Sequence, residues 1–175
     1  MAIRPERPGD EAAIREIHLV AFARGGVEGS AEANLVDALR AACAYPPELS
    51  VVAEVEGCLA GHLLISFAAI ETATGDVPCL ALAPVGVLPG YERLHVGTRL
   101  MRHALAEATC MGYRLLVVLG HPKYYRHFGF RPAAPLGIEC QWPVASEAFM
   151  VLELVPGALE GVRGRVKYHP AFDGF

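Results

Sequence analysis

The chain has 175 residues, the size of one domain at the usual ~100–200 residues per domain. Hydrophobic residues make up 53% and charged residues only 19%, which excludes a disordered polyelectrolyte and predicts a large buried core. A net charge of −4 gives no positive field for nucleic acid or anionic membrane, and the apolar runs fall short of the ~20 residues a membrane span requires. The opening Met1-Ala-Ile-Arg-Pro-Glu lacks an apolar signal region, so a cytoplasmic protein with no nucleic-acid or membrane partner is expected. Five widely spaced cysteines (Cys43, Cys58, Cys79, Cys110, Cys140) form no C-x-x-C pair, as for reduced thiols rather than a disulfide framework or zinc site.

In chain order, Ala2-Ile-Arg reads as a short strand. Asp10 then caps a helix with Ile14, Ile17 and Ala21 on one face. After a glycine-rich loop from Phe22 to Gly29, Ser30 is expected to cap a second helix carrying Leu35, Leu39 and Ala42, stopped by Tyr45-Pro46-Pro47. Ser50–Val55 and Leu59–Phe67 form an antiparallel hairpin turning at Glu56-Gly57. A turn at Thr74-Gly75-Asp76 leads into Cys79–Leu88, almost wholly apolar, as in a central strand buried on both faces. Pro84 cannot donate to a ladder and Gly86 follows two residues later, which predicts a bulge over Pro84–Gly86 and a split from the neighbouring strand.

From Gly97, the positions Leu100, Met101, Ala104, Leu105, Ala108 and Met111 define an amphipathic helix ending at Gly112. Tyr113–Leu119 is a second buried strand, and Pro122 starts a short helix through Tyr124, Tyr125 and Phe128 that ends at Gly129. Ala148–Leu154 is a strong strand and Gly164–Tyr168 a weaker final one. With no repeat or linker-like shift in composition, residues 1–175 read as one mixed α/β domain, a β-α-β unit embedded in antiparallel strands.

The stretch Val85–Leu100 places a loop between a buried strand and a helix N-terminus. There, free amides, the helix dipole, Arg93 and Arg99 suit an anion such as a pyrophosphate, although such a loop also serves simply to join two elements. The remaining histidines form no H-x-x-x-H pair, so no metal is expected, and the patterns of serine hydrolases, P-loop NTPases and dinucleotide-binding folds are lacking.

Taken together, Leu82-Ala-Pro-Val-Gly-Val-Leu-Pro, the loop and helix after it, Val117-Val-Leu-Gly-His-Pro-Lys-Tyr-Tyr and Phe128-Gly-Phe-Arg-Pro resemble the GNAT N-acetyltransferases, in particular their small bacterial single-domain members. The resemblance implies a sheet splayed at a bulge between its fourth and fifth strands, flanked by about four helices, with acetyl-CoA entering the cleft as cosubstrate. It implies that backbone groups of Val85 and Val87 pair with the pantetheine arm. The amides of Arg93, Leu94, His95, Val96, Gly97 and Thr98 would hold the pyrophosphate, and Leu119 and Tyr125 would flank the thioester. Where the family's loop reads [Gln/Arg]-x-x-Gly-x-[Gly/Ala], this chain has Glu92-Arg-Leu-His95-Val-Gly97, so a carboxylate and a bulky imidazole stand in place of a neutral or cationic side chain and a glycine.

Amide formation from a thioester requires a neutral amine, an oxyanion donor and a proton for the departing thiolate. Val87 is the expected N–H donor, because Pro84 has none to give, and Tyr125, four residues before Gly129, aligns with the family's tyrosine acid. The central strand carries no base, leaving His121, Glu71 and Glu54 as candidates. His121 stands out because it follows a buried strand at its C-terminal end, although a histidine in a Gly120-His-Pro122 turn also serves to cap backbone. Glu28 and Glu32 offer carboxylates that would attract a cationic amine, or else simply form part of the solvated surface. The expected activity is therefore acetyl transfer to a primary amine of a small molecule or peptide by direct attack, and the alternative is a catalytically silent module of the same fold with a degenerate loop. The apolar excess leaves room for a homodimer.

Overall fold

A computed structural model describes residues 1–23 and 29–173, without the Glu92 side chain. The chain runs β1 (Ala2–Pro5), α1 (Glu11–Ala21), α2 (Ser30–Ala41), β2 (Ser50–Val55), β3 (Cys58–Thr72), β4 (Gly75–Val87), α3 (Val96–Cys110), β5 (Leu115–Leu119), α4 (Pro122–Tyr125), β6 (Arg131–Pro132), β7 (Ile138–Glu139), β8 (Phe149–Glu153) and β9 (Gly164–Tyr168). Among the described residues the strands form one mixed, mostly antiparallel sheet in the order β1-β2-β3-β4-β5-β8-β6, with β9 added to β3 and β7 beside β9. The mixed α/β architecture expected from the sequence is present, and β4-α3-β5 is its parallel crossover unit.

Both faces of the sheet are covered. On the α3 face, Leu63, Ile65, Leu80 and Leu116 pack against Leu100, Met101 and Ala104. On the α1/α2 face, Leu64, Ala81, Val117 and Val151 pack against Ile14, Leu35 and Leu39. This alternation along β3 and β5 follows from the two-residue period of a strand, and each fully buried leucine contributes roughly 2 kcal/mol of transfer free energy.

Local chemistry sets the boundaries. The β2–β3 hairpin turns at Glu56 and Gly57, both at positive φ (51° and 82°), as a two-residue turn requires. The next turn is shorter than expected, because Gly75 and Asp76 already pair with Thr72 and Glu71. Asp10 stands at the N-cap of α1, but its carboxylate accepts from Arg4 (2.7 Å) and the Arg7 amide (2.9 Å), so it braces the entry to the helix without capping it. Nor does Ser30 cap α2. Gly29 holds that position, pressed so closely on α1 that a Cβ there would lie 2.5 Å from both the His18 carbonyl oxygen and Phe22 Cβ.

The decisive feature lies in β4. It pairs with β5 only at Leu80–Leu82, and beyond Leu82 it keeps β3 alone as a neighbour. The register places Leu63 opposite Val85 and Ile65 opposite Leu82, so Ala83 and Pro84, joined by a cis peptide bond, face the single residue Leu64. That is the expected bulge, shifted towards the start of the expected span. Gly86 is not part of it: Gly86 pairs regularly with His62. Its missing side chain leaves room for the His18 imidazole, whose Nδ1 would stand 2.8 Å from a Cβ.

Candidate active site

A cavity of about 620 Å³ opens where β4 and β5 part. Leu82 to Val85 and Val87 form one wall, Leu119, Gly120 and His121 the wall opposite, and His95, Gly97 and Thr98 one end. Tyr124 and Tyr125 roof the β5 side, while Ala21, Phe22 and Glu32 close the side towards α1 and α2. The cavity therefore passes from one face of the sheet to the other through the gap between two strands.

Strand geometry directs backbone groups into this gap. The Leu88 amide donates to the Ala60 carbonyl (2.9 Å). By antiparallel alternation, the next pair bonded across to β3 is Gly86 with His62, so the N–H and C=O groups of Val85 and Val87 point to the edge that β5 has left. At the end of the cavity, α3 begins with the Arg99 amide donating to the His95 carbonyl (3.0 Å), so Val96, Gly97 and Thr98 have no carbonyl one turn earlier to receive their amides. Three N–H groups and the positive end of a 15-residue helix thus face the cavity end.

Of the expected cofactor-binding residues, Val85, Val87, His95, Gly97, Thr98, Leu119 and Tyr125 line the cavity. The Val96 side chain is buried in the core, and Arg93 and Leu94 lie exposed in a short 3-10 turn outside the lining. The Leu94 amide donates to Tyr91 (3.1 Å), which removes it from the run of free amides expected over 93–98. His95 adopts a left-handed conformation (φ 55°, ψ 30°) at the N-cap of α3. Glycine would enter that region without strain, so this backbone shape explains why a glycine is the usual occupant of such a loop.

The tyrosines differ in setting. A Cβ on Gly120 would collide with the Tyr125 ring, so glycine there lets the ring pack closely against the chain leaving β5. It also meets Tyr124 (5.0 Å, 81°) and Phe130 (5.7 Å, 69°) edge to face. Burial, with a smaller effect of Tyr124, pushes the Tyr125 phenol well above its usual value, so it keeps its proton. The Tyr124 hydroxyl sits over the first turn of α3, 3.0 Å from where a Gly97 side chain would begin.

Among the base candidates, only His121 lines the cavity. Its side chain caps nothing, while its carbonyl receives the Tyr124 (3.0 Å) and Tyr125 (3.3 Å) amides, so its imidazole is not engaged in the turn. Glu71 pairs with Asp76 at the opposite end of β4, and Glu54 lies on β2 beside Arg4 (3.4 Å). The structure removes both from the site. Glu32 supplies a carboxylate to the cavity, while Glu28 lies outside the described residues. Sequence reading passed over Ala21, Phe22 and the buried pair His18 and His62, although a histidine four residues after Ile14 on the apolar face of α1 was a signal.

Comparisons with known proteins agree with this geometry. Residues 12–130 match the model of the Acetyltransferase (GNAT) family. The N-acetyltransferase YhbS of Escherichia coli K12 is 34% identical over 175 residues, the whole of both chains. The crystal structure of Escherichia coli YhbS in complex with CoA superposes with a TM-score of 0.88 at 32% identity, covering 98% of this chain and 91% of that one. A GNAT family acetyltransferase from Brucella melitensis in complex with acetyl-CoA gives 0.79 at 36% identity, covering 98% and 97%.

Proposed function

Since the chain belongs to the acetyltransferase (GNAT) family, we propose that residues 1–175 are a single-domain, acetyl-CoA-dependent N-acetyltransferase acting on a primary amine of a small molecule or peptide by direct attack. The observation that carries this reading is the departure of β4 from β5 after Leu82, which leaves the Val85 and Val87 backbone groups aimed into the cavity. The residues present fit the cosubstrate. A pantetheine arm would take the place of the missing strand against Val85 and Val87, and the Val96–Thr98 amides would hold the pyrophosphate where Gly97 leaves room for it.

Acetyl-CoA bound there supplies an activated acetyl thioester. The Val87 N–H is the donor for negative charge developing on the carbonyl oxygen, and it needs no reorganisation because the ladder fixes its direction. Tyr125 holds a proton for the departing sulfur, kept in place by burial. Glu32 attracts an ammonium group to the α1/α2 side of the cavity, and His121 is the exposed imidazole at its opposite wall.

Calorimetric titration with acetyl-CoA and with free CoA, at low and moderate salt, tests the reading. It should show micromolar binding that weakens with salt, and free thiol should then be released in the presence of a panel of primary amines. No binding at millimolar cosubstrate would overturn it.

The left-handed His95 favours a second reading, a module of the same fold with an altered pyrophosphate loop. The double change Glu92→Gln and His95→Gly separates the two. Tighter acetyl-CoA binding marks a working site that the natural loop weakens, and a wild-type protein that releases no thiol with any amine while binding CoA marks the silent module.

A further inference from the structure

The α1/α2 side of the cavity holds a charge that no described residue answers. Glu32 is the only acidic side chain among the described residues of the lining, and no lysine or arginine joins it there. It stands half-buried in the first turn of α2, and its carboxylate takes part in no hydrogen bond or ion pair among the described residues. The arginines of the two helices on this side are engaged elsewhere: Arg15 with Asp37 and Asn34, Arg40 with Asp37 (2.9 Å) and Glu6 (2.9 Å). Ala21 and Phe22, which close this side together with Glu32, are apolar, as is the β4 wall from Leu82 to Val85.

Such a wall restricts the acceptor. An unpaired carboxylate repels a carboxylate or phosphate on the substrate, and the described lining offers no lysine or arginine to hold one. Because Glu32 belongs to the first turn of α2, an anion drawn to the positive end of that helix would meet this carboxylate. The apolar surface around it suits methylene groups rather than hydroxyls or amides, which would lose water there without a partner. Chemistry also separates Glu32 from the reacting nitrogen. Attack on a thioester needs the lone pair of a neutral amine, whereas a carboxylate beside an amine favours its protonated form. A nitrogen paired with Glu32 is thereby kept from reacting, so the carboxylate is matched to a second nitrogen that stays charged.

We propose that the acceptor is a linear aliphatic diamine or polyamine, one nitrogen of which attacks the thioester while another stays protonated against Glu32. The proposal deepens the acetyl-transfer reading and rests on it. In the transfer, the neutral nitrogen forms the C–N bond as the C–S bond breaks. That nitrogen loses one proton to solvent, and CoA leaves as the thiol with the Tyr125 proton, which solvent replaces. The far nitrogen carries the same charge before and after, so Glu32 holds product as it held substrate and takes no part in the bond changes. A monoamine has to divide its single nitrogen between Glu32 and the thioester, and an amino acid brings its carboxylate to a wall that repels it.

Thiol release with linear diamines from diaminopropane to diaminooctane finds the preferred length. The monoamine and the amino acid of that length, with a methyl or a carboxylate in place of the far ammonium, then form the test. The wild-type protein should favour the diamine over both in kcat/KM by about tenfold or more, as a charge-assisted hydrogen bond implies. Comparable kcat/KM for the three would overturn the inference and leave acetyl transfer standing. Glu32→Gln should lower the diamine-to-monoamine ratio about tenfold, and Glu32→Lys should turn the preference towards the amino acid. Partial loss of structure would slow all three substrates together, so the ratio reads the charge, and a ratio unmoved in Glu32→Gln would also overturn the proposal. If the wild-type protein binds acetyl-CoA yet releases no thiol, calorimetric titration of the CoA-saturated protein decides. Diamine binding that exceeds monoamine binding and vanishes in Glu32→Gln supports the diamine as the ligand of this side, and no diamine binding overturns it. Failure to bind acetyl-CoA at all would instead strike the acetyl-transfer reading, and this inference with it.

Discussion

The two halves of β4 have similar apolar composition and opposite fates. Leu80–Leu82 lies between two neighbouring strands and is buried, whereas Ala83–Val87 has β3 alone beside it, and all of it but Gly86 lines a cavity. The site is thus made by withdrawing a hydrogen-bonding partner rather than by adding polar side chains. The backbone supplies the polar groups, and mostly apolar side chains surround them. The same contrast runs across the sheet. The α3 face is packed with apolar residues, while the α1/α2 face buries His18, His62 and Ser50 behind the cleft.

If the closed half is scaffold and the open half is site, changes in each should separate stability from activity. The largest expected effect is Leu80→Ala, which removes a fully buried side chain of the closed half. It should lower unfolding free energy by about 3 kcal/mol in a denaturant titration. Tyr125→Phe, in the open half, should reduce turnover about a hundredfold while leaving acetyl-CoA affinity and thermal midpoint nearly unchanged, because only a transition-state proton is lost. An unchanged rate would remove Tyr125 as the acid.

Acid probes the polar side of the contrast. The folded state depresses the His18 pKa from 6.5 to about 2, so the unfolded chain binds a proton that the native protein refuses. Stability is then full above pH 6.5 and falls below it, by about 2 kcal/mol at pH 5 from this one residue. Glu6, depressed from 4.5 to about 2, adds its own loss only below about pH 4.5. A thermal midpoint that stays flat from pH 7 to 5 would contradict the buried neutral pair, and His18→Leu should remove most of the slope. The smallest change sharpens the picture furthest. Gly97→Ala inserts a methyl 3.0 Å from the Tyr124 hydroxyl within a helix, where alanine is the better former. The protein should be as stable as before or slightly more so, with acetyl-CoA binding about tenfold weaker.

Much of the site was legible because it is local in sequence. Pro84 announced the bulge, since a residue with no N–H interrupts a ladder, and the strand-loop-helix order placed Gly97 and Thr98 at the cleft. Glycine was the less reliable guide. Gly86 signalled an irregular backbone and instead marks the room taken by His18, a contact between residues 68 positions apart (86 − 18) that no local pattern encodes. The His18–His62 pair was hidden for the same reason: each residue sits in an apolar element whose period accounts for its burial, and only the fold brings the two rings together. Glu54 and Glu71 failed as bases because the length of β3 carries its ends far apart.

One pairing bears on how the protein is made. Ala68 in β3 pairs with Tyr168 in β9, a separation of one hundred residues (168 − 68). By contrast, β4, α3 and β5, which build the cleft, are all complete at Leu119. A nascent chain leaving the ribosome can therefore assemble its catalytic half while Ala68–Glu71 still waits for a second neighbour. Stalled synthesis or proteolytic clipping between β8 and β9 would yield a molecule with an intact cleft and a raw strand edge, a species prone to pair with its own copies before quality control removes it.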